Sequence, residues 1–230
     1  MRIKFQINMN LQAERKIWYR LWGIAIACAW WIRRVDSALF QRFFGDFPPE
    51  LVFVLAAVSG WWAWKWVLEP HGFGLRTESF SDVLKIAFPA LGCVTVTVLL
   101  DVWMPFPKDI NVPFPLGLLF YPAIGLLVEV VFHLLPLALL LAGMRSPIRP
   151  SHLYPILLLV ATLEPFYQIL FSASYPLIFL VVMGLNLFGF NMFQLFVFKR
   201  HGLMAMFTLR LMYYAVWHGL WAQIRLDLLF

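Results

Sequence analysis

Apolar residues in this chain form long runs, not the alternating or one-faced patterns of soluble strands and helices. Charged or proline-rich breaks divide the runs into seven segments, at 17–32, 50–68, 83–101, 116–144, 153–171, 176–198 and 203–224. A helix of about 20 residues crosses a hydrocarbon core of about 30 Å. Because an isolated segment in lipid satisfies its backbone only as a helix, the pattern predicts an all-α, polytopic membrane bundle of about seven transmembrane helices.

Two of these segments are irregular. Arg20 leaves only residues 21–32 of the first segment uninterrupted, and this length also suits an interfacial or re-entrant helix. Whether 17–32 crosses the membrane therefore stays open. The segment 116–144 would be about 43 Å long if straight, which exceeds the hydrocarbon thickness. We expect it to be broken or bent at Pro122 or Pro136.

Composition supports a membrane protein and argues against a soluble domain. The chain is 62% hydrophobic and 13% charged, whereas soluble domains are about 45–50% apolar and about 25% charged. The net charge of +6 needs no nucleic-acid partner, because basic residues collect at membrane edges beside anionic headgroups. The partner indicated by composition is the lipid bilayer.

The distribution of Lys and Arg predicts the orientation. With seven spans and a cytoplasmic N-terminus, twelve of these residues lie on the cytoplasmic side and five lie outside. This bias favours a multi-pass protein of the cell membrane with its N-terminus inside. The five outer residues are Arg33, Arg34, Arg42, Lys108 and Arg225.

Polar side chains inside the apolar segments are concentrated in the last four. A charged side chain at mid-membrane costs about 2.5–3.5 kcal/mol, so each is expected to face the protein interior and to have a partner. The residues are Glu129, His133, Glu164, Gln168, Asn191, Gln194, Arg210 and His218.

Spacing and depth predict which of these groups meet. Glu129 and His133 are four residues apart and share one helix face. Counted at 1.5 Å per residue from the cytoplasmic ends, Glu129, His133, Glu164 and His218 lie at depths of about 16–22 Å. Two carboxylates and two imidazoles are ligand types that hold zinc with one position open for water. The same residues also fit a neutralising cluster that only fixes helix packing, with Glu129 beside His133 and Glu164 beside Arg210 or His218.

One known family has similar motifs. Glu129-Val130-Val131-Phe132-His133, followed by a Leu-rich run, resembles the first motif, EEhhFR, of the CPBP intramembrane metalloproteases. That family includes CAAX-prenyl proteases and bacteriocin-processing enzymes. Residues 212–224, with His218, are similar to its closing HxxxN helix. The resemblance covers about residues 115–225 and implies a CPBP-like core at 111–230, after an N-terminal transmembrane region at 1–110 with a basic cytoplasmic start.

The chain departs from the family pattern at four positions. Val128 stands in place of the first motif Glu, and His133 replaces the motif Arg. In the second motif, FxxxH, at residues 171–175, Tyr175 replaces His, and Ala222 replaces the final Asn. Glu129, Phe132 and His218 carry over residue by residue.

The resemblance implies peptide-bond hydrolysis at a membrane-embedded Glu/His site. In a site rebuilt from the residues that this chain has, the catalytic residues would be Glu129 as general base, His133 and His218, and a divalent metal such as zinc would be held by His133, Glu164 and His218. A membrane-associated peptide or protein is the expected substrate, with hydrogen bonds from Gln168, Asn191, Gln194 and Arg210.

Two alternatives come from other functional classes. A catalytically inactive relative would act as a membrane binding or scaffold protein, with the polar cluster holding its helices together. A proton-coupled transporter is less favoured, since the halves of the chain show no repeat symmetry and no matching pair of broken helices.

Overall fold

The computed structural model describes residues 2–75, 80–146, 148–172 and 174–230, and within its helices it leaves the side chains of 2–11, 42, 80–87 and 171 undescribed. All regular secondary structure in these ranges is helical. The prediction of an all-α chain is therefore confirmed for the described residues.

The described chain folds into ten α-helices and three π-helical turns that continue three of them. The π-helical turns are Trp64–Leu68, Glu129–Leu134 and Ala215–Trp221. The α-helices are α1 (Arg2–Val35), α2 (Ala38–Phe44), α3 (Pro49–Ala63), α4 (Phe80–Trp103), α5 (Gly117–Val128), α6 (Leu135–Leu141), α7 (Pro150–Phe171), α8 (Leu177–His201), α9 (Leu203–Tyr214) and α10 (Ala222–Leu229).

Four helical stretches in the described residues are long and apolar enough to cross a membrane. They are Pro49–Leu68, Gly117–Leu141, Pro150–Leu170 and Leu177–His201, and the part of α4 with described side chains, Phe88–Trp103, is also apolar. Four of the seven predicted segments coincide with them. The first and last predicted segments are also helical, in α1 and in the stretch from α9 to α10. The helices suit a membrane-embedded protein.

Helix packing brings the polar residues of the C-terminal half together. The helices α7 and α8 form an antiparallel pair, and α9 packs against α4, α5 and α8. On the other side, α1 lies against α3 and α5. Gly60 allows this approach, because a Cβ there would lie 3.0 Å from Val130 Cγ2 and 3.1 Å from the Trp18 ring. The Glu129 and His133 side chains of the π-helical turn Glu129–Leu134 are thus fully buried, whereas Val131 of the same turn is 43% exposed.

The expected irregularity in the long segment takes the form of a π-helical turn. The turn covers Glu129–Leu134 and ends two residues before Pro136, with the Leu135 N–H donating to the Val130 carbonyl five residues earlier. Proline lacks the N–H that would continue the α-helical ladder, which explains why the pattern changes here. Pro122 lies inside α5 without such a change.

A buried ion pair holds α10 against the end of α4. The charge count placed Arg225 on the outer side of the membrane, and in the structure its side chain is fully buried beside Asp101. Arg225 Nε lies 2.7 Å from Asp101 Oδ2 and Nη2 lies 2.9 Å from Oδ1. The same carboxylate accepts from Trp221 Nε1 and the Phe106 N–H. Arg225 Nη2 also donates to the Phe106 carbonyl at 2.7 Å, so the pair fixes the connection after α4.

We expect Arg225→Ala to lower the free energy of unfolding by about 3–5 kcal/mol, because Asp101 is left as a buried carboxylate without its cation. Thermal unfolding of the purified full chain in detergent measures the change. Arg200→Ala removes an exposed arginine and should change stability by less than about 0.5 kcal/mol. Equal unfolding temperatures for the two variants would contradict the role assigned to the pair.

Candidate functional site

Arg210 occupies the centre of the buried polar group. The hairpin between α8 and α9 turns at Gly202, whose φ of 90° is accessible to glycine but strained for other residues. This tight turn sets Gln194 of α8 beside α9, where its Nε2 donates to the Met206 carbonyl at 3.2 Å. Arg210 follows one turn later on the same helix. The exposed fractions of Arg210 and Gln194 are 1% and 0%.

Arg210 uses every N–H of its guanidinium. Nη1 and Nη2 donate to the two oxygens of Glu164 at 3.0 and 2.9 Å, a bidentate pair. Nε donates to Glu129 Oε1 at 2.5 Å. The remaining donors reach Gln194 Oε1 at 3.1 Å and the Tyr214 hydroxyl at 3.4 Å. A guanidinium has five N–H donors in a fixed fork, and all five have an acceptor here.

Glu129 has a partner on each carboxylate oxygen. Oε1 accepts from Arg210 and from Gln194 Nε2, the latter at 2.7 Å. Oε2 lies 2.7 Å from His133 Nδ1, so the predicted i, i+4 pair is present. His133 Nε2 is buried and has no partner in the described chain. Burial of this carboxylate is tolerated because its charge is hydrogen-bonded from three sides.

The four helices are joined through one cation. Glu129 belongs to the turn after α5, Glu164 to α7, Gln194 to α8 and Arg210 to α9. Glu129 and Glu164 are 0% and 4% exposed, so neither faces lipid. Of the two arrangements left open by the sequence, the contacts match the neutralising cluster, with Glu129 beside His133 and Glu164 beside Arg210.

His218 lies in a different set of contacts. Its ring stacks on Tyr121 at a centroid distance of 3.9 Å and meets the Tyr214 ring edge-on at 5.0 Å. Its Nδ1 lies 2.6 Å from Asn111 Oδ1, in the connection between α4 and α5. Tyr214 is the side chain that touches both groups, with its hydroxyl on Arg210 and its ring on His218.

The other two predicted substrate residues do not join the network. Asn191 is fully buried on α8, but neither its amide nitrogen nor its amide oxygen has a hydrogen-bond partner in the described chain. Gln168 is exposed on α7. Of the predicted substrate-binding set, only Gln194 and Arg210 contact the two glutamates.

The predicted zinc ligands are not brought together as a ligand set. Both oxygens of Glu164 accept from Arg210, and His133 Nδ1 lies on Glu129. In the described residues, no three His, Cys, Asp or Glu side chains are placed to hold a metal ion. The assignment of His133, Glu164 and His218 to a metal finds no support in these contacts and stays a prediction.

The residue at the end of the second family motif, Tyr175, makes its contacts outside the network around Arg210. Residue 173 lies outside the described residues. Tyr175, in the place of the motif histidine, donates from its hydroxyl to the Pro105 carbonyl at 3.0 Å and stacks on Phe179. Partial burial, and then the nearby Asp101 carboxylate, raise the pKa of the Tyr175 hydroxyl. This tyrosine therefore belongs to the contacts around Asp101.

Sequence reasoning did not identify Asn111, Tyr121 or Asp101. Asp101 closes the segment 83–101, so its position inside an apolar stretch was the available signal. Asn111 and Tyr121 carry no pattern that points to His218.

Comparisons with known proteins give no match: no family model, no curated protein and no solved structure matches this chain. The resemblance to the CPBP proteases therefore stays a prediction based on Glu129, Phe132 and His218.

We expect Arg210→Met to destabilise the chain by about 3–5 kcal/mol, because two buried carboxylates lose their common cation. Adding Glu129→Gln and Glu164→Gln should recover part of this loss, since the variant then holds no unpaired buried acid. Unfolding temperatures of the purified variants in one detergent measure the effect.

Arg210→Lys provides the matched control for charge. A lysine keeps the positive charge but cannot bridge two carboxylates with a planar fork, so its stability should lie between wild type and Arg210→Met. If the triple variant were no more stable than Arg210→Met, the coupling between the three residues would be disproved.

Proposed function

We propose that this chain is a multi-pass protein of the cell membrane, with seven spans and a cytoplasmic N-terminus, that acts as a binding or scaffold protein. In this proposal the C-terminal half is a CPBP-like core whose Glu/His site no longer hydrolyses peptides. The observation that carries the proposal is the guanidinium of Arg210, bidentate on Glu164 and bonded through Nε to Glu129.

A general base needs a free lone pair and a path for water to reach it. Glu129 is poorly suited to this role, because it is fully buried and Arg210, Gln194 and His133 occupy three of the roughly four lone-pair sites on its two oxygens. Arg210 itself stays protonated in proteins, so it can serve neither as a base nor as a metal ligand. The contacts of these residues therefore favour a structural role.

The same contacts suit a scaffold that keeps one arrangement of helices. Lipid supplies no hydrophobic drive for helices to associate, so association depends on close packing and on polar contacts between helices. Arg210 provides such contacts to three neighbouring elements at once, through Glu129, Glu164 and Gln194. A protein that presents a constant surface to a membrane partner benefits from this rigidity.

Peptide hydrolysis is the second candidate, and one observation favours it. His133 is paired with Glu129 through Nδ1. Its other ring nitrogen, Nε2, is buried without a partner in the described chain. For this pair to serve in catalysis, Arg210 would first have to leave the Glu129 carboxylate. A divalent metal such as zinc would then be required to hold and activate water, with a membrane-associated peptide as substrate. The proton-coupled transporter has no comparable observation in its favour.

Metal content separates the two candidates. We expect the wild-type chain, purified from zinc-supplemented cells, to contain well under one zinc ion per chain by elemental analysis, and to match His133→Ala measured beside it. The reason is that the carboxylate oxygens are already occupied by Arg210 and Gln194. About one zinc per chain in wild type, lost in His133→Ala, would instead establish the metal site.

Partner binding tests the scaffold directly. In native membranes, photo-cross-linking followed by mass spectrometry should identify the same partner proteins for wild type and for Glu129→Gln, because the amide keeps the shape of the side chain. An unrelated polytopic protein provides the background. The proposal fails if wild type enriches no protein above that background, or if Glu129→Gln stays folded but loses its partners.

A further inference from the structure

A cleft opens where α1 ends and α3 begins. Its volume is about 460 Å³, and a smaller cleft of about 120 Å³ adjoins it and shares Arg33 and Ser37 with it. The larger cleft is lined by Trp30, Arg33, Arg34, Ser37 and Glu50. These residues are remote in sequence from the polar network around Arg210, and no function considered so far uses them.

The larger cleft carries one positive charge in excess. Arg33 Nη1 donates to Glu50 Oε2 at 3.0 Å, so this arginine is paired. The Arg34 guanidinium lies over the Trp30 ring at 5.3 Å, and no carboxylate in the described part of the chain pairs with it. The Ser37 hydroxyl makes no capping hydrogen bond to α2. One guanidinium and one hydroxyl are therefore available to an anion.

The cleft lies at the edge of a predicted membrane span. Glu50 stands in the first turn of α3, whose helix continues as the span Pro49–Leu68. From the next residue onward an apolar stripe follows one helix face, at the i, i+4, i+7 and i+11 positions. Its members, each about half exposed or more, are Leu51, Leu55, Val58 and Trp62.

Two exposed tryptophans also lie near the end of α1, where the cleft opens. Trp30 and Trp31 are 47% and 53% exposed at the end of α1. Tryptophan is enriched where the hydrocarbon core meets the headgroup layer. The polar cleft thus sits at headgroup level, and the apolar stripe leads from it into the hydrocarbon.

We propose that this cleft binds the phosphate of a phospholipid headgroup, with an acyl chain along the stripe Leu51–Trp62. Arginine holds phosphate through charge-assisted hydrogen bonds in a planar fork. Asp46 lines the smaller cleft, whereas the carboxylate that lines the larger one, Glu50, is paired with Arg33, so the anionic group occupies the larger cleft. The stripe favours a lipid over free phosphate as the occupant, because only a lipid has both a phosphate for the cleft and an acyl chain for the stripe. This inference is independent of the binding or scaffold function proposed above.

The experiment is a titration of the detergent-purified full chain, followed by native mass spectrometry. The probes are dioctanoyl phosphatidylglycerol, dioctanoylglycerol, which lacks the phosphate, and inorganic phosphate. We expect one phosphatidylglycerol per chain at this site, binding of dioctanoylglycerol at least about tenfold weaker, and no displacement by an equal concentration of inorganic phosphate.

Three variants locate the site. Arg34→Gln should weaken phosphatidylglycerol binding about tenfold, because the free guanidinium is lost. Glu50→Gln should tighten binding, since Arg33 is released from its carboxylate. Arg145→Gln removes an exposed arginine elsewhere in the chain and should change binding less than about twofold.

Three results would overturn the assignment. If Arg34→Gln and Arg145→Gln bound phosphatidylglycerol equally well, the cleft would not be the binding site. If dioctanoylglycerol bound as tightly as phosphatidylglycerol, the phosphate would not be recognised. Displacement by inorganic phosphate would show a free-anion site in place of a lipid site. Because Arg34 is exposed and makes no ion pair within the described chain, its variant should unfold at the wild-type temperature, which keeps the comparison valid.

Discussion

The helices of the C-terminal half depend on a single buried cation. The Arg210 guanidinium touches the carboxylates of Glu129 and Glu164 and the amide of Gln194, which belong to three different helical elements. Moving a charge out of water is costly, and the cost is recovered only when geometry is good and all donors are satisfied. Here each donor has an acceptor, so the orientation of every participating helix is constrained by the planar fork of one side chain.

A second buried ion pair, Asp101–Arg225, also joins helices through hydrogen-bonded charges. Asp101 and Arg225 join the end of α4 to α10, and the carbonyl of Phe106 brings the following connection into the contact. Aromatic residues surround this pair, among them Trp217, Trp221 and Phe179. The two ion pairs hold different helices, so the bundle is fixed by polar contacts at two heights while apolar packing fills the space between them.

The helices could be predicted from the sequence because the constraint is local: an apolar run in lipid must satisfy its own backbone. The burial of Glu129, His133 and Glu164 in one group also followed from their positions in apolar segments, but the depth count added His218 to this group where the structure has Arg210 and Gln194. The Glu129–His133 pair could be predicted from its spacing, but the choice between Arg210 and His218 as the partner of Glu164 could not. Arg210 and His218 lie on one helical rod about 12 Å apart along its axis, and depth counts with errors of several residues cannot choose between them.

Rotation about the helix axis is the second quantity that the sequence leaves open. Gln168 follows Glu164 by four residues, yet Glu164 is buried and Gln168 is exposed. Arg225 was counted on the outer side because it follows the last predicted segment, whereas α10 continues to Leu229 and the Arg225 side chain is buried. In both cases contacts from neighbouring helices determine whether the side chain is buried. The sequence of one segment does not contain this information.

The π-helical turn Glu129–Leu134 has a consequence for the two halves of its helix. One residue corresponds to a rotation of about 100° in an α-helix, so a turn with an extra residue changes the angular phase of everything that follows. Before the turn, α5 faces α1 and α9, and after it α6 faces α3 and α7. The turn thus sets the rotation between the faces that α5 and α6 present to their neighbours. Deleting one residue within the turn would remove this rotation, so that α5 or α6 would face away from the helices it now contacts.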